Sequence, residues 1–125
     1  MKLRTVLTFD GKAEQAMKFY ISFLPNARMV GVERYGMNEG GKLGHVKRAA
    51  FEAADGVRVV CMDMPGLSFT PASSMMLLCD DKPQFELMLS KLKEGGATYV
   101  APEATDGSFA WVQDKFGVSW QLMLA

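Results

Sequence analysis

The chain has 125 residues, of which 49% are apolar, and this is enough for one domain with a substantial core. Its 14 basic and 14 acidic residues give a net charge of zero, so we expect no nucleic acid and no membrane as partners. The sequence contains no signal-type stretch and no long apolar run. Its two cysteines, Cys61 and Cys79, lie in apolar segments typical of reduced, buried thiols. These features predict a cytoplasmic protein.

The first half of the chain predicts a strand, a helix and three further strands. Apolar residues recur at helical spacing over about 12–24 and would cover one face of a sheet. These residues are Ala13, Ala16, Met17, Tyr20, Phe23 and Leu24. Strands are predicted over 28–35, 46–53 and 57–62, and Asp55-Gly56 forms the tight turn between the last two.

The second half repeats this order. A helix is predicted over about 82–94, because Asp81 and Gln84 have the spacing of a capping box and Pro83 falls in the first turn. Strands are predicted around Tyr99, over 109–113 and over 118–124, with Phe116-Gly117 as the final turn.

The two halves are copies of one unit. A shift of 70 positions places LTFDGKAEQAMKFY (7–20) on LLCDDKPQFELMLS (77–90), and a shift of 61 places Val60 on Gln121. The longer loop Gly36–Gly44 accounts for the difference between the shifts. We therefore predict an α+β fold of two tandem βαβββ modules that form a curled mixed sheet with the helices outside. The single domain 1–125 would comprise module 1 (about 1–64), a linker (about 65–73) and module 2 (about 74–125).

Strand alternation predicts a concave sheet face that could hold a small-molecule ligand. The polar residues on this face are the candidate ligand-binding residues: Arg4, Thr8, Arg58, Ser74, Ser119 and Gln121. The apolar residues that would surround them are Val6, Val60, Met62, Met76 and Met123. A buried arginine needs a counter-charge, which could be an anionic ligand or one of three carboxylates, Glu33, Glu52 and Asp63.

Several other motifs favour structural interpretations. The segment 36–43 matches the first seven positions of a phosphate-binding loop, but Leu43 replaces the required hydroxyl and a strand follows, so we predict an ordinary loop. His45 is the only histidine and predicts neither a metal site nor a catalytic triad. Methionines on or near the sheet are expected to fill the core, with an adaptable apolar pocket as the alternative. They are Met62, Met64, Met75 and Met76.

The segment FAWVQDKFGVSWQL (109–122) resembles the closing signature of the PhnB-like, or 3-demethylubiquinone-9 3-methyltransferase-like, proteins. These belong to the vicinal oxygen chelate superfamily of glyoxalases, bleomycin resistance proteins and dioxygenases. The segment 7–20 is similar to the opening signature, and GHVKRAAFE (44–52) also fits. This resemblance implies paired βαβββ modules and a homodimer.

The resemblance also implies positions for a divalent metal, which enzymes of the superfamily hold with His, Gln or Glu from the first and last strand of each module. The corresponding residues here are Arg4, Val60, Ser74 and Gln121. Arginine only donates and valine has no polar atom, so we expect no metal and no other cofactor. Methyl transfer is not expected either, because no Gly-rich turn between a strand and a helix could hold a methyl donor of nucleotide size.

We therefore expect a metal-free member of this superfamily that binds a small, partly apolar or anionic molecule in the curled-sheet cavity. Two alternatives remain. In the first, the protein is a metal-dependent enzyme of the glyoxalase or dioxygenase type whose ligands have shifted to residues such as His45, Glu52, Asp63 or Gln121. In the second, it is a dimeric structural protein without a pocket.

Overall fold

Two βαβββ modules follow one another along the chain. A computed structural model describes residues 1–125 and divides them into two compact units, 1–68 and 69–125. Each unit has one α-helix and a four-stranded sheet. The predicted α+β fold of two βαβββ modules is confirmed, and the strands form two sheets, one in each unit.

The first unit contains helix α1 and strands β1 to β4. Their bounds are β1 Thr5–Phe9, α1 Ala13–Phe23, β2 Arg28–Arg34, β3 Val46–Ala53 and β4 Val57–Asp63. The strand order is β1-β4-β3-β2, with β1 parallel to β4 and the other pairs antiparallel. Helix α1 buries its predicted apolar stripe against one face of this sheet. We call the opposite side the helix-free face.

The second unit has the same order. Its elements are β5 Ser74–Cys79, α2 Lys82–Lys93, β6 Ala97–Val100, β7 Phe109–Gln113 and β8 Ser119–Leu124, with a short 3-10 helix at Pro102–Ala104. The sheet order is β5-β8-β7-β6, again with one parallel pair, β5 with β8. Helix α2 starts at the predicted cap, because Asp81 accepts the Gln84 N–H at 2.9 Å. The Gln84 side chain in turn accepts the Asp80 N–H at 2.8 Å.

The strand registers agree with the two shifts found in the sequence. Val6 of β1 lies beside Val60 of β4, and Met76 of β5 lies beside Gln121 of β8. Val6 and Met76 are related by the shift of 70, and Val60 and Gln121 by the shift of 61. The two sheets are therefore built on the same pairing, and each residue of one has a definite counterpart in the other.

The core of each unit lies between its helix and its sheet. Cys61 and Cys79 are free and buried there, as predicted. The prediction that Met62, Met64, Met75 and Met76 fill the core is wrong, because none of these side chains is buried and two are about half exposed. Met62 and Met76 lie on the helix-free faces, where strand alternation removes them from the core. Neither helix has the length and apolar content that crossing a bilayer would require.

Candidate functional site

A shallow cavity of about 440 Å³ opens on the helix-free face of the first sheet, and we call it the first-sheet cavity. It exists because two small residues, Gly31 of β2 and Ala50 of β3, are paired directly across the sheet. A Cβ built on Gly31 would meet nothing within 4 Å, so the space beside it is free. The half-buried side chains of Val30 and Val60 give the cavity an apolar floor.

Three arginines and one glutamate give the cavity a positive border. Arg4, just before β1, and Arg48 of β3 are exposed, and neither takes part in an ion pair. The only hydrogen bond of the Arg4 side chain is a long one of 3.5 Å to the carbonyl of Leu3. Glu33, the carboxylate on this border, faces the Lys47 ammonium at 3.6 Å. Two guanidinium groups of the cavity are therefore free to meet an anion.

The third arginine, Arg58, is held by a carboxylate. Its Nε and Nη2 donate to Oε1 of Glu52 at 3.2 and 2.7 Å. Arg28 donates to the other oxygen, Oε2, from its own Nε and Nη2 at 3.1 and 2.7 Å. The hydrogen bonds from Arg58, followed by those from Arg28, hold the pKa of Glu52 below its usual range. Of the three carboxylates considered for Arg58, the partner is Glu52, whereas Asp63 lies on the helix side of the sheet.

Two of the three predicted binding residues of the second sheet, Ser74 and Ser119, are hydrogen-bonded to each other. Ser119 is buried, and its Oγ lies 2.7 Å from that of Ser74 and accepts the indole N–H of Trp111 at 2.7 Å. Gln121 is half-buried and pairs with Trp111 across the strands. In the first unit, Thr8 pairs with Met62, further along β1 than the first-sheet cavity.

The residues considered for a shifted metal site do not share one place in the first unit. Glu52 lies on the helix-free face between two arginines. Asp63 is buried on the helix side, where its carboxylate accepts the N–H groups of Ala13 at 3.0 Å and Val46 at 2.9 Å. His45 and Asp63 both line a cavity of about 290 Å³ near the start of α1, which Glu52 does not reach. The structure contains no group of three His, Cys, Asp or Glu side chains that could hold a metal ion.

Both thiols are unsuited to nucleophilic chemistry. Burial, with a smaller contribution from the charge of Asp63, raises the pKa of Cys61 to about 12. Burial and the neighbouring Asp80 and Asp81 also raise the pKa of Cys79. Because the thiolate is the reactive form, both side chains act as small apolar core residues.

Three residues that define the first-sheet cavity were not among the predicted site residues: Gly31, Arg48 and Ala50. The register of β2 was not predicted, and an irregularity between Met29 and Gly31 changes which residues of that strand face the cavity. Ala50 and Arg48 could have been found from the shift of 61, which places them on Trp111 and Phe109 of the second sheet. Because Trp111 is bulky and its counterpart Ala50 is small, a gap is expected beside Ala50 in the first sheet.

The comparisons with known proteins agree with the fold. The family model for 3-demethylubiquinone-9 3-methyltransferase matches residues 1–123. A solved PhnB protein from Bacillus cereus is 38% identical, with a TM-score of 0.91 and 100% of both chains covered. No curated protein matches the chain.

More distant structures share the fold alone. A protein from Pseudomonas aeruginosa is 21% identical, with a TM-score of 0.84, over 99% of this chain and 97% of the other. A glyoxylase/bleomycin resistance protein/dioxygenase domain from Frankia sp. is 14% identical, with a TM-score of 0.66, over 100% of this chain and 97% of the other. The two βαβββ modules are therefore an arrangement that this chain shares with glyoxalase-type proteins.

Proposed function

The chain belongs to the 3-demethylubiquinone-9 3-methyltransferase family, which has the glyoxalase/bleomycin resistance/dioxygenase fold, and from this premise we propose that it binds a small, partly apolar anion in the first-sheet cavity. The observation that carries the proposal is the position of two arginines without ion pairs, Arg4 and Arg48, beside an apolar depression. The volume of about 440 Å³ lies in the range of small-molecule sites.

The chemistry of the cavity favours a molecule with two different ends. Guanidinium groups present planar sets of N–H donors that match the oxygens of carboxylates, phosphonates and phosphates. The apolar end of such a molecule would cover Val30 and Val60 and remove their side chains from water. Binding by both ends would orient the molecule with its anionic group at the border and its apolar part on the floor.

We further propose that this binding needs no divalent metal. The positions where metal ligands are expected in this superfamily hold Arg4 and Val60 in the first unit. The guanidinium repels a cation, and the aliphatic side chain offers no lone pair. In the second unit, Ser74 is already bonded to Ser119. Added Zn²⁺ or Mn²⁺ is therefore expected to leave both the melting temperature and anion binding unchanged.

We propose that binding is not followed by methyl transfer. Between β1 and α1 the only glycine is Gly11, and a Cβ there would come within 3.0 Å of the His45 ring. This turn therefore has neither the glycines nor the space with which a backbone approaches a nucleotide. S-adenosylmethionine is expected to leave the melting temperature unchanged.

Calorimetric titration with phenylphosphonate tests the proposed site. Arg4→Ala and Arg48→Ala should each weaken binding about fivefold, because each removes one charge-assisted contact at an exposed site. Arg34→Ala is the matched control, since Arg34 is also an exposed guanidinium but pairs with Glu14 outside the cavity. Equal losses in all three variants, or no binding by the natural protein, would refute the proposal.

A further inference from the structure

Glu52 in the first unit forms ion pairs with two arginines. Arg28 and Arg58 each donate two hydrogen bonds, and each arginine uses a different oxygen of the carboxylate. Arg58 lines the first-sheet cavity and Arg28 does not. One carboxylate therefore holds two guanidinium groups, of which only one borders the proposed site.

Because of this arrangement, separating Arg58 from Glu52 costs little free energy. If its side chain turns away, Glu52 keeps the two hydrogen bonds from Arg28 and is not left as an unpaired charge. The side chain of Arg58 is 37% exposed, and an ion pair at that exposure contributes little to stability. A carboxylate with only one arginine partner would be left as an unpaired charge when that arginine moved.

Once released from Glu52, Arg58 could contact the same ligand as Arg4 and Arg48. All three guanidinium groups border the same cavity, but only Arg4 and Arg48 are free while Arg58 is bound to Glu52. The two free groups already carry more positive charge than an anion with one charge, so such an anion gains little from a third. An anion with two charges gains more from a third donor, because its attraction for each guanidinium is stronger.

We propose that Arg58 transfers from Glu52 to the bound ligand and that the first-sheet cavity thereby selects doubly charged anions, such as phosphonates or phosphate monoesters, over singly charged ones. This inference rests on the proposed function, since it requires an anion in the cavity. Arg28 is a positioning residue in this proposal. It lies outside the cavity and keeps the Glu52 carboxylate paired when Arg58 has moved.

Two probes of the same shape separate the contribution of charge from that of the apolar part. Phenylphosphonate is doubly charged at mildly alkaline pH, whereas benzenesulfonate has the same ring and a tetrahedral head with one charge. The measured quantity is the ratio of their dissociation constants, obtained by calorimetry at fixed ionic strength. We expect the natural protein to prefer phenylphosphonate about tenfold, as one additional charge-assisted hydrogen bond would give.

The variants distinguish transfer of Arg58 from a general effect of positive charge. Arg58→Met keeps the aliphatic part of the side chain and should lower the preference about fivefold. Arg28→Ala should also lower it, although Arg28 does not line the cavity, because Glu52 would then retain Arg58. Arg34→Ala removes the same charge from the pair with Glu14 and should leave the ratio unchanged.

A double-variant cycle supplies the second measurement. Glu52→Gln should strengthen phenylphosphonate binding because it frees Arg58, and most of this gain should disappear when Arg58→Met is added. The inference is overturned if the ratio is the same in the natural protein, Arg58→Met and Arg28→Ala while Arg4→Ala still weakens both probes. If neither probe binds the natural protein, the proposed function itself fails. Melting temperatures of all variants establish that each is folded.

Discussion

The two sheets have the same strand order but different helix-free faces. In the first sheet Ala50 lies beside Val60, and in the second the counterparts are Trp111 and Gln121. The Trp111 indole covers its sheet, donates to Ser119 and meets the edge of Tyr99 at 5.7 Å between ring centroids. The small side chain of Ala50, beside Gly31, thus leaves space in the first sheet at a position where the second sheet has the Trp111 ring.

The charges differ at the neighbouring pair. Glu52 and Arg58 of the first sheet correspond to Gln113 and Ser119 of the second, so an ion pair in one unit is an uncharged pair in the other. Both pairs lie at the same place in the hairpin. On the same strand order, the first sheet therefore carries charge and space where the second carries bulk and internal hydrogen bonds.

The hairpin turns provide the largest expected difference between the units. Asp114, before the turn of the second unit, is buried and accepts the N–H groups of Phe116, Val118 and the Trp120 indole. Its counterpart in the first unit is Ala53. Asp114→Ala should lower the free energy of unfolding by about 4 kcal/mol, because it leaves two buried donors and one partly buried donor unpaired.

Urea unfolding of Asp114→Ala measures this effect. Asp55→Ala is the control, since Asp55 lies in the first hairpin turn, is exposed and makes no ion pair, and its removal should change stability by less than about 0.5 kcal/mol. A loss below about 1 kcal/mol for Asp114→Ala would show that the second hairpin, like the first, closes without its carboxylate.

The helix starts give the next largest difference. Asp81 caps α2 from the adjacent position in sequence, whereas α1 has no side-chain cap of its own and is capped by Asp63 of β4. Asp63→Ala should destabilise the protein by about 3 kcal/mol, since it leaves two buried N–H groups without a partner. Asp81→Ala removes an exposed cap and should cost about 1 kcal/mol. Thermal unfolding of the two variants under the same conditions checks this order, which equal losses would contradict.

The fold could be predicted from the sequence because its signals are local and occur twice. The caps, apolar stripes and Gly-containing turns of one half support those of the other, and strand bounds such as 46–53 and 109–113 agree with the structure. The bond between Asp63 and the start of α1 could not be found in this way, since it joins residues 50 positions apart. Gly11, at the position of Asp81, leaves α1 without a local cap and was the only signal of it.

The candidate site was predictable only in part. Alternation correctly separates inward from outward residues along β4, so Arg58 and Val60 were recognised as members of one face. The cavity itself depends on small residues, Gly31 and Ala50, which carry no chemistry that a motif could show. The ion pair of Arg58 depended on cross-strand register, and for this reason the sequence left three possible carboxylates where the structure has Glu52.

Filling the first-sheet cavity tests whether side-chain size separates the two faces. Ala50→Phe gives the first sheet a bulky side chain where the second has Trp111, and should weaken phenylphosphonate binding about tenfold, or 1.4 kcal/mol. Stability should change by less than about 1 kcal/mol, since the new side chain enters open space. Inorganic phosphate is the control probe, because it has no apolar part and should bind both proteins alike. Unchanged phenylphosphonate binding would contradict a role for the apolar floor.

Acid unfolding tests the difference in charge, and its expected effect is the smallest. The pKa of Glu52 is lowered in the folded protein, first by Arg58 and then by Arg28, so its contribution to stability is present above the ordinary pKa of 4.5 and is lost as the pH falls through the folded value. Glu52→Gln, which introduces the residue found at Gln113, should therefore flatten the fall of melting temperature below pH 4.5. Glu94→Gln, at an exposed residue without an ion pair, should leave that fall unchanged. If Glu52→Gln shows the same fall of melting temperature with pH as the natural protein, the ion pairs of Glu52 with Arg58 and Arg28 contribute nothing to stability.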